Sequence, residues 1–428
     1  MIPSSKLLVA MFAVAACLSL TTAKAPPSHP APLDLDWSSM GFSLNDLRTP
    51  YMYLDVIDQD SAHPGTFDGA GGGSGRLGSG WASLENPPKA RSLMTRHGPL
   101  ALEPASTIIN YGQGLFEGIK AFRRPNGSIV IFRPNKNAAR MRKGCSRLLI
   151  PPIPDDTFVA ACKEVVRYNA AYVPPSQLGA LYLRPLVFGS GAKLGVAASN
   201  EFTFCIYCSP VGNYFKTSSN STTPPPISLL VSNKYKRSCA GGAGGVKAVG
   251  NYAPVFLCQK ETRDKGFNEA LFVDAKEGKY IEEAGASNLF VFIPNKNGEG
   301  GTLATPPLDN GTILPGVTRD SILNLVRNEM PGVTVEERPV SLSDLGRASE
   351  AFCCGTGASV TPVGDVHVEE ASGGDDKVYK LCAEGKRKAG PVTERIYEML
   401  HEVIWGEGRL GKKYKDWIVE VEPLPERE

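Results

Sequence analysis

The sequence predicts an α/β or α+β protein of two domains, and three observations carry that reading. Stretches with strand-like alternation and stretches with helical spacing follow one another along the chain, with no internal repeat. Its 428 residues, 42% hydrophobic and 21% charged, suffice for a large core divided between two domains. A polar tract rich in serine, threonine and proline, residues 215–226, separates the halves as an interdomain linker. The expected organisation is a cleavable leader over 1–25, a proline-rich linker over 26–34, a smaller domain over 35–214 and a larger domain over 227–428. A net charge of +2 argues against an electrostatic nucleic-acid surface and directs attention to small molecules. The ten cysteines lie at irregular spacings, with no repeated zinc-ligand pattern, so no metal is expected and most thiols read as small buried hydrophobes.

In chain order, Lys6, the apolar run Leu7–Leu20 and a small-residue site at Ala23–Ala25 read as a signal-like leader. No later stretch offers about 20 consecutive apolar residues, so the mature chain is expected to be soluble, without a membrane span. Sequons at Asn126, Asn220 and Asn310 matter only in the secretory pathway. The opening strand region starts at Leu35. Residues 61–80 form a glycine-rich insertion, read as a surface loop, because no strand, Lys-Ser/Thr pair and helix surround it as a phosphate loop requires.

Next comes YGQGLFEGIKAFRR from Tyr111, with a hairpin turn at Pro125-Asn126-Gly127 and a second strand over Ser128–Phe132 that delivers Arg133. Ala138, Met141 and Cys145 then recur at helical spacing and place Arg140 and Arg147 on different faces. Phe158, Ala161, Cys162, Val165 and Val166 mark a second amphipathic helix, opened by aspartates. In GALYLRPLVFG, alternation puts Tyr182 and Arg184 on one face; an inward arginine there requires a carboxylate, from a structural partner or from a substrate. Glu201–Tyr214 supplies a further strand.

The larger half opens on a β-branched strand over Ile227–Asn233 and reaches RSCAGGAGGVKAVGNY. Here Lys247 stands among Val246, Ala248 and Val249. In apolar surroundings a lysine loses proton affinity and its neutral amine becomes a nucleophile for carbonyls, which points to Schiff-base chemistry. Taken alone, the stretch also fits a surface lysine in a glycine loop. Residues 253–265 read as a helix, 270–274 as a strand, and KYIEEAGASNLFVFI as a strand region carrying Glu282 and Glu283. In GTILPGVTRDSILNLVR a turn runs into a helix whose first N–H groups, at Val317 and Thr318, form an anion site. EAFCCGTGASVTPVG, from Glu350, ends in a Gly-Thr-Gly turn.

Taken together these segments resemble the branched-chain amino acid aminotransferases, class IV pyridoxal-phosphate enzymes, and especially their plant-like branch. The likeness runs from Leu35 to about Val421. It implies fold-type IV: a smaller α/β domain, a larger domain around a β-barrel-like sheet, the site between them, and a homodimer that completes it. It implies that Lys247 holds pyridoxal 5'-phosphate covalently and moves the substrate proton, that Glu283 faces the pyridine nitrogen, that Tyr252 bonds the phenolic oxygen, and that Arg140, Val317, Thr318 and Thr356 hold the phosphate. Tyr111 and Phe116 would wall the pocket for an aliphatic side chain. Tyr182, with the N–H groups of Thr356 and Gly357, would meet the α-carboxylate, and Arg184 the γ-carboxylate of glutamate. The implied reaction is reversible transfer of the amino group between leucine, isoleucine or valine and 2-oxoglutarate, giving branched-chain 2-oxo acids and glutamate. Gly357 replaces the family's usual alanine. Ala358 and Thr361 occupy the positions of a redox cysteine pair in animal mitochondrial members, so no comparable thiol switch is expected.

Two rivals stand beside this reading. Related class IV enzymes act on D-amino acids or on aminodeoxychorismate, and YGQGLFEGIKAF with YLRP argues against them. A degenerate binding protein would lack a bound chromophore. The leader suggests import into an organelle, a plastid before a mitochondrion, with the secretory pathway as the alternative.

Overall fold

Strand alternation and turn chemistry build the first sheet where the sequence predicts it. The computed structural model describes residues 28–42, 47–58, 81, 93–212, 223–369, 376–381 and 389–424. Its first strands are β1 (Tyr51–Asp58), β2 (Met94–Arg96), β3 (Gly114–Phe116), β4 (Ile119–Arg123), β5 (Ile129–Phe132), β6 (Ala180–Gly189) and β7 (Glu201–Val211). They run in the order β5-β4-β6-β7-β1-β2, with β3 also on β6, and every pairing is antiparallel. The β4–β5 hairpin closes as expected: the Arg124 N–H donates to the Ser128 carbonyl at 2.9 Å, and the Asn126 side chain accepts from the Ser128 N–H at 3.1 Å. Three helices accompany these strands: α1 (Thr107–Tyr111), α2 (Pro134–Arg147) and α3 (Asp155–Tyr168). α2 starts on Pro134, whose missing N–H costs nothing at a first helical position. α3 carries Asp155 and Asp156 in its first turn and buries Phe158, Ala161, Cys162, Val165 and Val166, the predicted stripe, in the core of the first sheet.

The second sheet contains β8 (Ile227–Ser232), β9 (Glu269–Val273), β10 (Tyr280–Ala284), β11 (Asn288–Pro294), β12 (Gly301–Thr305), β13 (Val333–Glu337), β14 (Val340–Ser341), β15 (Glu350–Gly355), β16 (Ser359–Val368) and β17 (Lys377–Lys380). Six of them, β8-β9-β10-β11-β15-β16, close into a barrel, because β10 pairs β11 at Glu283–Asn288 and β16 returns to β8. Leu289, Val291, Ala351 and Cys353 fill its interior. Their neighbours Phe290, Phe292, Phe352 and Cys354 face outward, as a two-residue period demands, and are covered by helices. The helices of this half are α4 (Phe256–Asp264), α5 (Val317–Glu329), α6 (Leu342–Leu345), α7 (Pro391–Trp405) and α8 (Gly408–Lys413). α5 contributes Ile322, Leu325 and Val326, and α7 Ile396, Met399 and Val403, to the outer layer. None of the described helices is long and apolar enough to cross a membrane.

Two features correct the expected boundary at 227–428. A last strand, β18 (Ile418–Val421), pairs antiparallel with β5 and extends the first sheet to eight strands. Val246 and Ala248, which flank the lysine, pack in the core of the first sheet. The chain therefore crosses back to the first half twice after residue 227. The leader, the insertion at 61–80 and all but residues 223–226 of the 215–226 linker lie outside the described residues.

Candidate active site

A cavity of about 610 Å³ opens where the first sheet meets the barrel. Lys247 lies in its wall. The strand β3 fixes the lysine's backbone: the Phe116 N–H donates to the Lys247 carbonyl at 3.1 Å, and Leu115 bridges to Ala248. Asn251 ties the loop from within, donating to the Ala243 and Val246 carbonyls at 2.8 and 2.9 Å. The glycine run permits close approach: a Cβ at Gly244 would lie 2.3 Å from the Thr312 carbonyl oxygen. The ammonium end of Lys247 donates to the Tyr252 hydroxyl at 3.0 Å and stands 4.5 Å above the Phe116 ring. Burial, and after it the charge of Arg140, pushes its pKa down to about 8. The lysine is thus enclosed in the cavity wall and is not a solvated side chain on a glycine loop.

Glu282 and Glu283 are buried neighbours on β10, at the point where its register with β9 slips by one residue. Glu283 lines the cavity, 2.5 Å from the Arg237 guanidinium. It accepts from the Leu314 N–H at 3.0 Å and from the Asn288 amide at 3.1 Å. Burial raises its pKa, while Arg237 and the Leu314 N–H oppose that shift by favouring the charged form. At another side of the cavity stand Val317 and Thr318, the first residues of α5, whose N-cap Gly316 offers no side-chain cap. Their N–H groups lack intrahelical partners, and the helix dipole adds positive potential on that side of the cavity. Arg140 projects from α2 into the same cavity, but its two-pronged pairing goes to Glu117, at 2.8 and 2.6 Å, with a third bond to the Pro315 carbonyl at 2.9 Å. Two of its five N–H donors remain available. Burial alone would lower the guanidinium's pKa; Glu117 overrides this and raises it.

Tyr182 and Arg184 project from β6 into the cavity on one face, as the alternation predicts. Arg184 donates to the Tyr182 hydroxyl at 3.4 Å and lies 4.8 Å over Phe116, and its Nε is buried without a hydrogen-bond partner. A guanidinium left so is prepared for an anionic guest. Thr356 and Gly357, in the turn between β15 and β16, complete the lining. Tyr111 departs from expectation. It ends α1, where left-handed Gly112 turns the chain away, so its side chain is 43% exposed, bonds the Leu194 carbonyl and stays out of this cavity. Glu117 and Arg237 went unassigned in the sequence although both stand inside its quoted motifs. An inward-facing charge beside predicted site residues was the available signal.

The donor set fits pyridoxal 5'-phosphate. An uncapped helix N-terminus with Arg140 suits a phosphate dianion, buried Glu283 suits a protonated ring nitrogen, and the Lys247–Tyr252 pair suits an aldehyde beside a phenolic oxygen. Comparison with known proteins agrees with this chemistry. The amino-transferase class IV family pattern matches residues 114–366. The chain is 36% identical to the mitochondrial branched-chain amino acid aminotransferase 1 of Humulus lupulus, over 92% of this chain and 86% of that protein. It is 37% identical to the chloroplastic branched-chain-amino-acid aminotransferase 3 of Arabidopsis thaliana, over 87% and 78%. The crystal structure of the Escherichia coli branched-chain amino acid aminotransferase superposes with a TM-score of 0.61 at 27% identity, covering 77% of this chain and 96% of that one. With a family match over more than half of its length, and relatives aligned along most of the rest, the chain belongs to the class IV pyridoxal-phosphate-dependent aminotransferases, in the branched-chain amino acid aminotransferase family.

Proposed function

We propose that this enzyme transfers the amino group of leucine, isoleucine or valine reversibly to 2-oxoglutarate. One observation carries the choice of substrates: the cavity that holds Lys247 sets the apolar face of Phe116 beside an arginine, Arg184, with an unspent donor. Such a wall accepts an aliphatic side chain, and the same wall pairs the γ-carboxylate of glutamate. Pyridoxal 5'-phosphate, when bound, supplies the carbonyl that takes the amino group and the ring that withdraws electrons from Cα. The residues of the chain do the rest. Lys247 anchors the cofactor and, once free, its Nζ takes the proton from the substrate Cα and delivers it to the cofactor's C4′. The Tyr252 hydroxyl, bonded to Nζ, orients that amine. Arg237, paired with Glu283, favours its charged form toward the ring nitrogen against the effect of burial. Tyr182, Thr356 and Gly357 receive the α-carboxylate, and Arg140, Val317, Thr318 and Thr356 the phosphate.

The working form in this proposal is a homodimer. Ile109, Tyr111, Leu194 and Val196 are exposed hydrophobics on α1 and the adjacent 190–200 loop, and Tyr111 bonds the Leu194 carbonyl. A second copy covering this face would remove that apolar surface from water and lets Tyr111 serve the neighbouring pocket. The proposed compartment is an organelle, plastid before mitochondrion; a fusion of residues 1–40 to a fluorescent protein that remained in the cytosol would overturn it.

The deciding experiment mixes the cofactor-loaded enzyme with L-leucine alone and follows the visible spectrum. Conversion to the pyridoxamine form, reversed by 2-oxoglutarate, establishes both half-reactions, and Lys247→Ala abolishes it. Conversion by D-alanine but not by L-leucine would overturn the substrate reading.

A further inference from the structure

We propose that Lys120 is a positioning residue for recognition of the substrate α-carboxylate, acting on the Thr356–Ala358 turn from its far side. The inference rests on the reading that this turn receives the carboxylate. Lys120 projects from β4, directly opposite Tyr182 in the sheet register, but enters a different space. A second cavity, of about 620 Å³, lies behind the turn, and Lys120, Tyr397 and His401 line it. Gly355, Thr356, Gly357 and Ala358 line both cavities, so the turn is the partition between them.

From behind that partition the Lys120 ammonium donates to the Gly357 carbonyl at 3.1 Å. It is a bond from the first sheet to the barrel, made at the residue where this chain has glycine. Glycine is the least constrained residue, so a turn containing it keeps one geometry only if something outside holds its peptide planes. Two groups do so here. Lys120 takes the Gly357 carbonyl, and the Thr361 hydroxyl takes the Ala358 carbonyl at 2.8 Å. Ser359 closes the turn in the left-handed region, with φ of 54°, and pairs with Gly355. A peptide's C=O and N–H point in opposite directions. The Gly357 carbonyl shares its peptide plane with the Ala358 N–H, so drawing that carbonyl back toward Lys120 turns the Ala358 N–H forward, toward the pocket Ala358 lines beside Thr356 and Gly357, and a charged donor also polarises that peptide.

The surroundings favour this role over general packing. Burial lowers Lys120 to about 8, which leaves it charged at neutral pH. Burial, and after it the Lys120 charge, pushes His401 down to about 4. His401 is thus neutral, stacked on Tyr397 with ring centroids 4.0 Å apart, and leaves Lys120 the cation behind the turn.

The test compares Lys120→Met, Lys120→Arg and Gly357→Pro in the cofactor-loaded enzyme. Each is titrated with 4-methylpentanoate, which keeps the carboxylate of leucine without its amine, and with the corresponding amide. Lys120→Met is expected to weaken the acid roughly tenfold to a hundredfold, the range of one charged hydrogen bond, and to raise the KM for leucine by the same factor. Its kcat and its affinity for the amide stay within about threefold of the parent, and Lys120→Arg, which keeps a donor, recovers most of the loss. A parental affinity for the acid in Lys120→Met, or an equal loss for acid and amide, overturns the inference. If Gly357→Pro, with a retained melting transition and chromophore, also binds the acid at parental strength, then the carboxylate assignment of the turn itself fails.

Discussion

Lys247 serves as a nucleophile only when uncharged, and the pocket moves that condition toward neutral pH. A lysine at 10.5 is almost wholly protonated at pH 8, whereas one lowered to about 8 by burial and by Arg140 is half neutral there. Shift and sign together give a prediction for the cofactor-free protein. Reductive labelling of the Lys247 peptide with a small aldehyde should rise with pH to a midpoint near 8, and a midpoint near 10.5 would show a solvated lysine. Arg184 makes the complementary case for specificity. In Arg184→Leu the KM for 2-oxoglutarate should rise by roughly tenfold to a hundredfold, the value of one charged pair, with leucine changed by less than about threefold. Equal losses for both substrates in steady-state kinetics would mean that Arg184 shapes the pocket without reading the γ-carboxylate.

At the scale of elements, the proposed phosphate site is the beginning of α5, and its position depends on a strut from the other half. Arg133, delivered by β5 as the hairpin predicts, is 5% exposed; it donates to the Ser321 hydroxyl at 2.6 Å and pairs with Asp320 at 2.6 Å, both in the first turns of α5. Its guanidinium lies 4.1 Å over Trp417, just ahead of β18. One side chain thus joins hairpin, helix and C-terminal segment. Arg133→Met should cost about 1.5–3 kcal/mol, the range for a hydrogen bond to a charged group, read as a lower urea midpoint. Affinity for pyridoxal 5'-phosphate should fall with it. A destabilised variant that binds the cofactor at parental strength would separate the strut from the site.

For the whole molecule, the exposed face of Ile109, Tyr111, Leu194 and Val196 carries the expectation of assembly. Leu194 and Val196 are 91% and 90% exposed in the single chain, and replacing both by aspartate leaves the described cores untouched. Leu194→Asp with Val196→Asp should convert a dimer into a monomer in light scattering and lower the activity by at least about tenfold, since charges at the centre of an apolar interface are not tolerated. A dimer of unchanged mass in the double variant would move the interface elsewhere. The far cavity behind the Thr356–Ala358 turn belongs to this scale too, because it forms only where β4 of one half and α7 of the other enclose it.

Much of this was legible in the sequence, for reasons that individual residues make plain. Periodicity marked α3 and the second strand of the hairpin, since the side chains that must be buried recur at the element's own period. Lys247 among valines, Tyr182 and Arg184 two apart on a strand, and Val317 opening a helix after Pro-Gly were equally readable, because each is a matter of near neighbours. The tertiary structure decided what depends on distant partners. It gave the fork of Arg140 to Glu117, set Arg237 against Glu283, closed the barrel between β10 and β11, carried β18 back to the first sheet and turned Tyr111 outward. Sequence determines which groups are available and which way a local segment faces; which buried charge meets which is settled when remote segments exclude water together.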